Sequence, residues 1–160
     1  KPDFKTIVIG NLTVGGTGKT PLVIWLANEL KKEGLYPGIV SRGYKSTTKN
    51  NPVLITQSSN PSDVGDEPLI IFNNTNCPVV VGANRVRAAK HLIQNRQCNV
   101  LISDDGLQHF KLGRDIEIAM IDGMRKFGNN LLLPAGPLRE PIKKLDQVDF
   151  VINTNTFYSK

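Results

Sequence analysis

Cysteine and long apolar runs are scarce in this chain, and each shortage removes a class of protein. Among 160 residues there are two cysteines, Cys77 and Cys98, far apart and without paired spacing. That excludes a disulfide framework and the ligand pattern of a structural zinc site, and a reducing cytoplasm is the simplest reading. The longest apolar stretches, Pro21–Ala27 and Leu131–Leu138, contain proline and are shorter than the ~18 residues of a membrane span. Internal repeats and low-complexity tracts are absent. Acidic residues are outnumbered 14 to 20, giving a net charge of +6. The basic side chains recur near expected loops: Arg42 and Lys45, Arg85 and Arg87, Lys111 and Arg114, Arg139, Lys143 and Lys144. Such a surface is either simply solvated or meets an anionic ligand or an anionic membrane face. No aromatic-rich sheet face or recognition motif accompanies the charge, so nucleic acid is not indicated as a partner.

What remains is ordinary globular composition, 39% apolar and 21% charged, enough for one domain over residues 1–160 with a sizeable core. Lys1 stands where a methionine would start a chain, a few residues before the first core strand, and the apolar run Phe150-Val151-Ile152 lies close to the other end. Both lead to the expectation of a longer natural protein.

The stretch with the most chemistry is GNLTVGGTGKT, Gly10 to Thr20, directly after the apolar run Thr6–Ile9. A buried strand that breaks into a glycine-rich turn and ends in Gly-Lys-Thr before a helix is the pattern of a phosphate-binding P-loop. Glycines at 15, 16 and 18 let successive N–H groups converge on phosphate oxygens at a helix N-terminus. Lys19 would reach the β- and γ-phosphates and the Thr20 hydroxyl would bind Mg²⁺. The match is partial, because Thr13 stands where the strict pattern has its first glycine.

Downstream, Pro21–Glu33 reads as a helix with Leu22, Leu26 and Leu30 on one face, in which Trp25 is expected in the core or at a domain contact. Strands are expected at 38–41, 53–56, 79–82, 100–103, 116–121 and 148–152. A mobile loop is expected at 45–51, loops at 57–65 and 127–141, and a helix at 85–94 with Val86, Ala89 and Ile93 on one face. Strands alternating with helices predict an α/β, three-layer P-loop NTPase fold with a mainly parallel sheet. Arg42 and Tyr44, just past a strand end, either face the ligand crevice or form a surface turn. Asp66-Glu67-Pro68 is a normal helix start, and Asp66 is also a candidate general base beside the phosphates. Arg85, at a strand-to-helix junction, either meets phosphate or is a surface arginine. Asp104, closing the apolar strand, has the position of a Walker B carboxylate that holds the nucleotide's Mg²⁺, and the following Asp105-Gly106 equally marks a turn. His109 follows closely enough to orient those carboxylates or touch a phosphate.

Taken together the chain resembles the tetraacyldisaccharide 4'-kinase (lipid A 4'-kinase) family of Gram-negative bacteria. The resemblance rests on six blocks in order: GNLTVGGTGKTP (10–21), SRGY (41–44), GDEP (65–68), GANR (82–85), DDGLQH (104–109) and LLPAGPLREP (132–141). It implies ATP held by Thr13, Val14, Gly15, Gly16, Thr17, Gly18, Lys19 and Thr20. It also implies Mg²⁺ at Thr20, Asp104, Asp105 and Glu140, and catalysis by Asp66 with Lys19, Arg85 and His109. Gln108 and Arg139 match further active-site positions. The implied reaction transfers the ATP γ-phosphate to the 4'-hydroxyl of a tetraacylated glucosamine disaccharide 1-phosphate, the lipid A precursor, at the cytoplasmic face of the inner membrane. An anionic membrane surface is an implied partner, and no obligate protein partner is indicated. Family members also have an N-terminal membrane helix and a second lobe with a histidine that pairs with the catalytic aspartate. Neither matches here, so these 160 residues are expected to bind nucleotide and to turn over lipid poorly.

Two rival readings are weaker. A partitioning-type ATPase switch usually has a lysine just before the paired glycines, where this chain has Val14. A nucleotide-binding module or metal-delivery GTPase would cluster its cysteines and histidines or show a guanine-reading Asn-Lys-x-Asp stretch, and neither is present.

Overall fold

The computed structural model describes residues 4–43, 52–95 and 98–154. The elements run β1 (Lys5–Asn11), α1 (Lys19–Lys32), β2 (Pro37–Ser41), β3 (Val53–Leu54), α2 (Pro61–Val64), α3 (Asp66–Thr75), β4 (Val79–Val81), α4 (Arg85–Asn95), β5 (Val100–Asp104), β6 (Ile116–Asp122), a 3-10 helix (Ile142–Gln147) and β7 (Phe150–Thr154). They build a seven-stranded sheet of order β3-β4-β2-β5-β1-β6-β7. Every pairing is parallel except the short edge strand β3, which runs antiparallel to β4.

The central strands read as unbroken apolar runs because both sheet faces are covered. Side chains alternate between faces with period two. Ile7, Ile9, Ile39, Val79, Ile102 and Met120 pack with Val23 and Ala27 of α1 and Ile71 of α3. Val8, Val40, Val80, Leu101 and Ala119 face the other way, onto Ala88, Ala89 and Leu92 of α4 and onto Leu107, Leu112 and Leu138 of the loops. The expected three-layer, mainly parallel architecture is therefore present. Each fully buried aliphatic side chain contributes about 1.5–3 kcal/mol, so the two clusters together hold the sheet rigid beneath its loops.

Three expectations are corrected. Trp25 is 58% exposed on the outer side of α1, because Val23 and Ala27 take the buried positions of that helix, which removes the core half of that expectation and not the domain contact. The core face of α4 is Ala88, Ala89 and Leu92, with Ile93 exposed. Arg85 occupies the inward position of the first turn, which shifts the buried stripe by about one residue. Within the expected loop 57–65, Asn60 caps the single turn α2 by accepting from Ser62 N (3.1 Å). The expected mobile loop 45–51, with Tyr44 and Lys45, lies outside the described residues.

Candidate active site

The sheet order fixes the site. β1 pairs with β5 in a register that sets Ile9 opposite Asp104, so the loop leaving β1 and the acidic end of β5 emerge side by side. This is the carboxyl edge of a parallel sheet, where ligand crevices form in open α/β folds.

The loop after β1 turns through Gly15 (φ 108) and Gly18 (φ 77), left-handed conformations that a Cβ would strain by about 1–2 kcal/mol. Thr13 is different. It forms an antiparallel bridge with Leu138 and has no positive φ, so a β-branched residue fits where the strict motif has glycine. Gly18 then caps α1 without any side-chain hydrogen bond, and the first turn contains no acidic residue. The first N–H groups of α1 and the positive end of its dipole are left for an external anion. Thr17 Oγ1 is buried without a hydrogen-bond partner among the described residues. These observations fit a bound polyphosphate.

Lys19 Nζ donates to Asn11 Oδ1 (2.8 Å) and lies 3.4 Å from Asp105 Oδ1. Arg139 grips the same carboxylate, with NH1 3.1 Å from both oxygens. Gln108 Nε2 donates to Glu140 Oε1 (2.7 Å) and to Asn11 O (3.3 Å). The proline-rich segment carrying Arg139 and Glu140 is tied to the phosphate loop by Val14 N to Pro137 O (2.9 Å) and Arg139 N to Leu12 O (2.6 Å). A cleft of about 280 Å³ opens beside the loop, lined by Thr13, Val14, Gly16, Thr17, Asp122 and Arg125, among others.

Asp104 is 3% exposed, and Ser41 Oγ donates to its Oδ2 (2.9 Å). Burial pushes its carboxyl above the ordinary range, against the opposing pull of the Ser41 hydrogen bond and of Lys19. Asp105 moves the other way. Partial burial raises it, but Lys19 and Arg139 more than offset that and hold it ionised below the ordinary carboxylate range. Arg85 is 2% exposed, which removes the surface-arginine reading. Its guanidinium donates to Gly82 O (2.6 Å) and Asp104 O (3.3 Å), and burial lowers its pKa to about 10 although Asp104 and Asp105 support the charge. His109 is half-buried, and desolvation followed by the cations Arg85 and Arg42 lowers its pKa, favouring the neutral ring.

Asp104 and Asp105 offer the hard carboxylate oxygens that Mg²⁺ takes, one or two carboxylates with water and phosphate oxygens completing its shell. Among the described residues no three Asp, Glu, His or Cys side chains gather as a metal cage. Asp66 is exposed in the first turn of α3, next to Glu67 whose charge reaches Asp104, and shares no hydrogen bond or ion pair with the loop residues among the described residues.

Two site residues escaped the sequence reading. Asn11 and Ser41 are polar residues closing otherwise apolar strands, and beyond lying in the quoted blocks 10–21 and 41–44 that position is their signal. Two of the basic residues also change meaning: Arg114 (2.5 Å) and Lys144 (3.2 Å) both bind Glu117, buried beneath them, and are structural cations.

The family model for tetraacyldisaccharide-1-P 4'-kinase, LpxK, matches residues 1–159. A tetraacyldisaccharide 4'-kinase of Nitrosococcus oceani is 56% identical over 146 residues, 91% of this chain and 43% of the relative. One from Haemophilus influenzae is 52% identical over the same share of this chain and 44% of its own length. The crystal structure of LpxK from Aquifex aeolicus in complex with ATP superposes with a TM-score of 0.84 at 33% identity, covering 98% of this chain and 51% of that one. The chain thus spans less than half the length of the curated relatives it matches. With a family model covering nearly every residue and the same α/β fold in a solved member, the chain belongs to the tetraacyldisaccharide-1-P 4'-kinase family.

Proposed function

We propose that this chain carries the phosphoryl-transfer site of a kinase that moves the γ-phosphate of ATP to the 4'-hydroxyl of a tetraacylated glucosamine disaccharide 1-phosphate, the lipid A precursor. The observation that carries the reading is the convergence of Lys19, Asp105 and Arg139, with Asp104 adjacent, beside the uncapped N-terminus of α1. Residues 13–20 hold the triphosphate through backbone N–H groups and the Lys19 ammonium. Thr20, Asp104 and Asp105, with Glu140 near by through Gln108, hold magnesium, whose charge neutralises phosphate oxygens when it is bound.

Lys19 and Arg139 both meet Asp105, which holds two cations in place beside the loop for phosphate oxygens, a form of preorganisation. Arg85 is fixed by two backbone carbonyls, and Asp104 and Asp105 support its charge. His109, favoured neutral, can orient a hydroxyl or a phosphate oxygen without adding charge. Asp66, in solvent at the start of α3, accepts the proton of the sugar hydroxyl once the acceptor covers it.

The acceptor is an acylated lipid, and the reaction is placed at the cytoplasmic face of the bacterial inner membrane. No described helix is long and apolar enough to cross a membrane. Contact with an anionic bilayer is supported by the net charge of +6 and by the exposed side chains of Leu131, Leu132 and Leu133. Lys143 joins Leu131 and Leu132 around one groove of about 430 Å³.

The test is a single-turnover assay with labelled ATP and the tetraacyldisaccharide 1-phosphate in micelles, alongside calorimetric titration of MgATP. In a full-length protein that contains this chain, Asp66→Asn is expected to bind MgATP within about twofold of the parent while transfer slows by about 10²–10⁴-fold. Equal transfer rates would remove Asp66 from the chemistry, and a parent chain that does not bind MgATP would overturn the kinase reading itself.

A further inference from the structure

The residue that shapes the phosphate loop is not one of the residues that would touch phosphate. Asn11 closes β1 and is fully buried, yet it is polar. Its side-chain amide is used on every side that matters to the loop. Nδ2 donates to Thr13 O (2.5 Å) and to Gly15 O (3.2 Å), while Oδ1 accepts from Lys19 Nζ (2.8 Å). Its own backbone carbonyl accepts from Gln108 Nε2 (3.3 Å), the residue that also holds Glu140 (2.7 Å) and accepts from Arg139 (3.4 Å).

These contacts have a geometric consequence. In a trans peptide the carbonyl and the following N–H point in opposite directions. Drawing Gly15 O inward onto Asn11 therefore turns the Gly16 N–H outward, and Gly16 is exposed at the mouth of the loop. Drawing Thr13 O inward turns the Val14 N–H outward in the same way, and that group meets Pro137 O (2.9 Å). The same amide oxygen holds the Lys19 ammonium on the loop side of Asp105.

We propose that Asn11 is a positioning residue of the nucleotide site: one buried side-chain amide sets the orientation of the loop peptides and the resting place of Lys19, and so sets the affinity for the triphosphate. The inference rests on the nucleotide-binding reading above and adds to it a residue that touches no phosphate. It also accounts for the tolerance of Thr13, since a loop clamped by Asn11 and bridged to Leu138 does not need glycine there.

The experiment compares Asn11→Ala, Asn11→Asp and Asn99→Ala with the parent chain by calorimetric titration of MgATP, with thermal unfolding of each. Asn99 is the control, because its Oδ1 accepts from Tyr36 N (2.8 Å) at the opposite edge of the sheet. Its loss destabilises without reaching the loop. Asn11→Ala is expected to weaken MgATP at least tenfold. Asn11→Asp keeps the size and the acceptor for Lys19 but turns an oxygen toward two carbonyls, so it should weaken binding as much or more. Asn99→Ala should lower the unfolding midpoint and leave the MgATP affinity unchanged.

Either Asn11 variant binding within twofold of the parent overturns the proposal. So does a comparable affinity loss in Asn99→Ala, since the effect would then follow general destabilisation. A parent chain that binds no nucleotide is a different result, which removes the P-loop reading and this inference with it.

Discussion

At the scale of single residues, the site keeps charges that the fold alone would not choose. Asp104 is nearly buried, its pKa is raised chiefly by desolvation, and ionising it at neutral pH costs stability. The sign is fixed by linkage: a folded-state pKa above the unfolded one means the native state binds the proton more tightly. The cost is therefore present above the folded value and fades as pH falls through it. Asp104→Asn removes the charge and keeps an oxygen for the Ser41 hydroxyl. It is expected to raise the unfolding midpoint of the ligand-free chain at pH 7.5 by several degrees, each 1 kcal/mol being worth roughly 2–4 °C at this size. The gap should narrow on acidification, and MgATP binding should fall by more than tenfold. Scanning calorimetry at two pH values with a nucleotide titration reads all three. Legibility at this scale followed charge and motif. Lys19 and Asp104 could be read because phosphate and metal chemistry demand those residue types at those spacings, whereas Asp105 equally fitted a turn. Arg139 gave only a resemblance, because its partner Asp105 lies 34 residues away and local spacing cannot predict that pairing. Asn11 and Ser41 gave almost nothing, since a polar residue ending a strand is usually a turn.

Whole elements were legible wherever burial was one-sided or complete. The apolar runs of β1, β2, β4, β5 and β6 name themselves, and α1 follows from its leucines. The face of α4 was misjudged because periodicity counts only apolar residues, whereas the inward position of its first turn is taken by Arg85, whose donors reach Gly82 O and Asp104 O. β7 has a role that its sequence does not disclose. It is an exposed edge strand, with Phe150 and Val151 open to solvent, yet its last residue braces the phosphate loop. Thr154 Oγ1 lies 3.2 Å from Thr17 O and 3.3 Å from Ile121 O, and Thr154 O accepts from Gly123 N (2.6 Å). Thr154→Val keeps the shape and removes the hydroxyl. We expect a stability loss of about 1 kcal/mol in chemical denaturation and a several-fold weaker MgATP affinity, because Thr17 O loses its side-chain donor. An unchanged nucleotide affinity would show that the edge strand supports the sheet and not the loop.

Over the whole molecule, charge separates into two populations with different physics. Arg85, Arg114, Lys144, Lys19 and Arg139 are held by carboxylates or backbone carbonyls inside the structure, where salt screens them weakly. Arg42, Lys111, Arg125, Lys126 and Lys143 are exposed and supply the field that an approaching anionic surface feels. The Debye length falls from about 10 Å at 0.1 M salt to about 3 Å at 1 M, so only the second population loses its reach. If the exposed cations and the Leu131–Leu133 segment contact the bilayer, the chain should sediment with vesicles containing anionic lipid at ~0.05 M salt. It should be released by ~0.5 M, while its unfolding midpoint changes little. Neutral vesicles should retain little protein at any salt. Lys126→Glu together with Lys143→Glu reverses two exposed charges, and with ~1 kcal/mol per basic residue near an anionic surface it should weaken partitioning by at least tenfold. Lys126 also lines the cleft beside the phosphate loop, so the nucleotide control is Lys143→Glu alone, which should leave MgATP affinity within about twofold because Lys143 lies outside that cleft. Retention that ignores both salt and this charge reversal would instead assign the contact to the leucines alone, and Leu132→Asp in the same vesicle assay would then release the protein where the lysine variants did not.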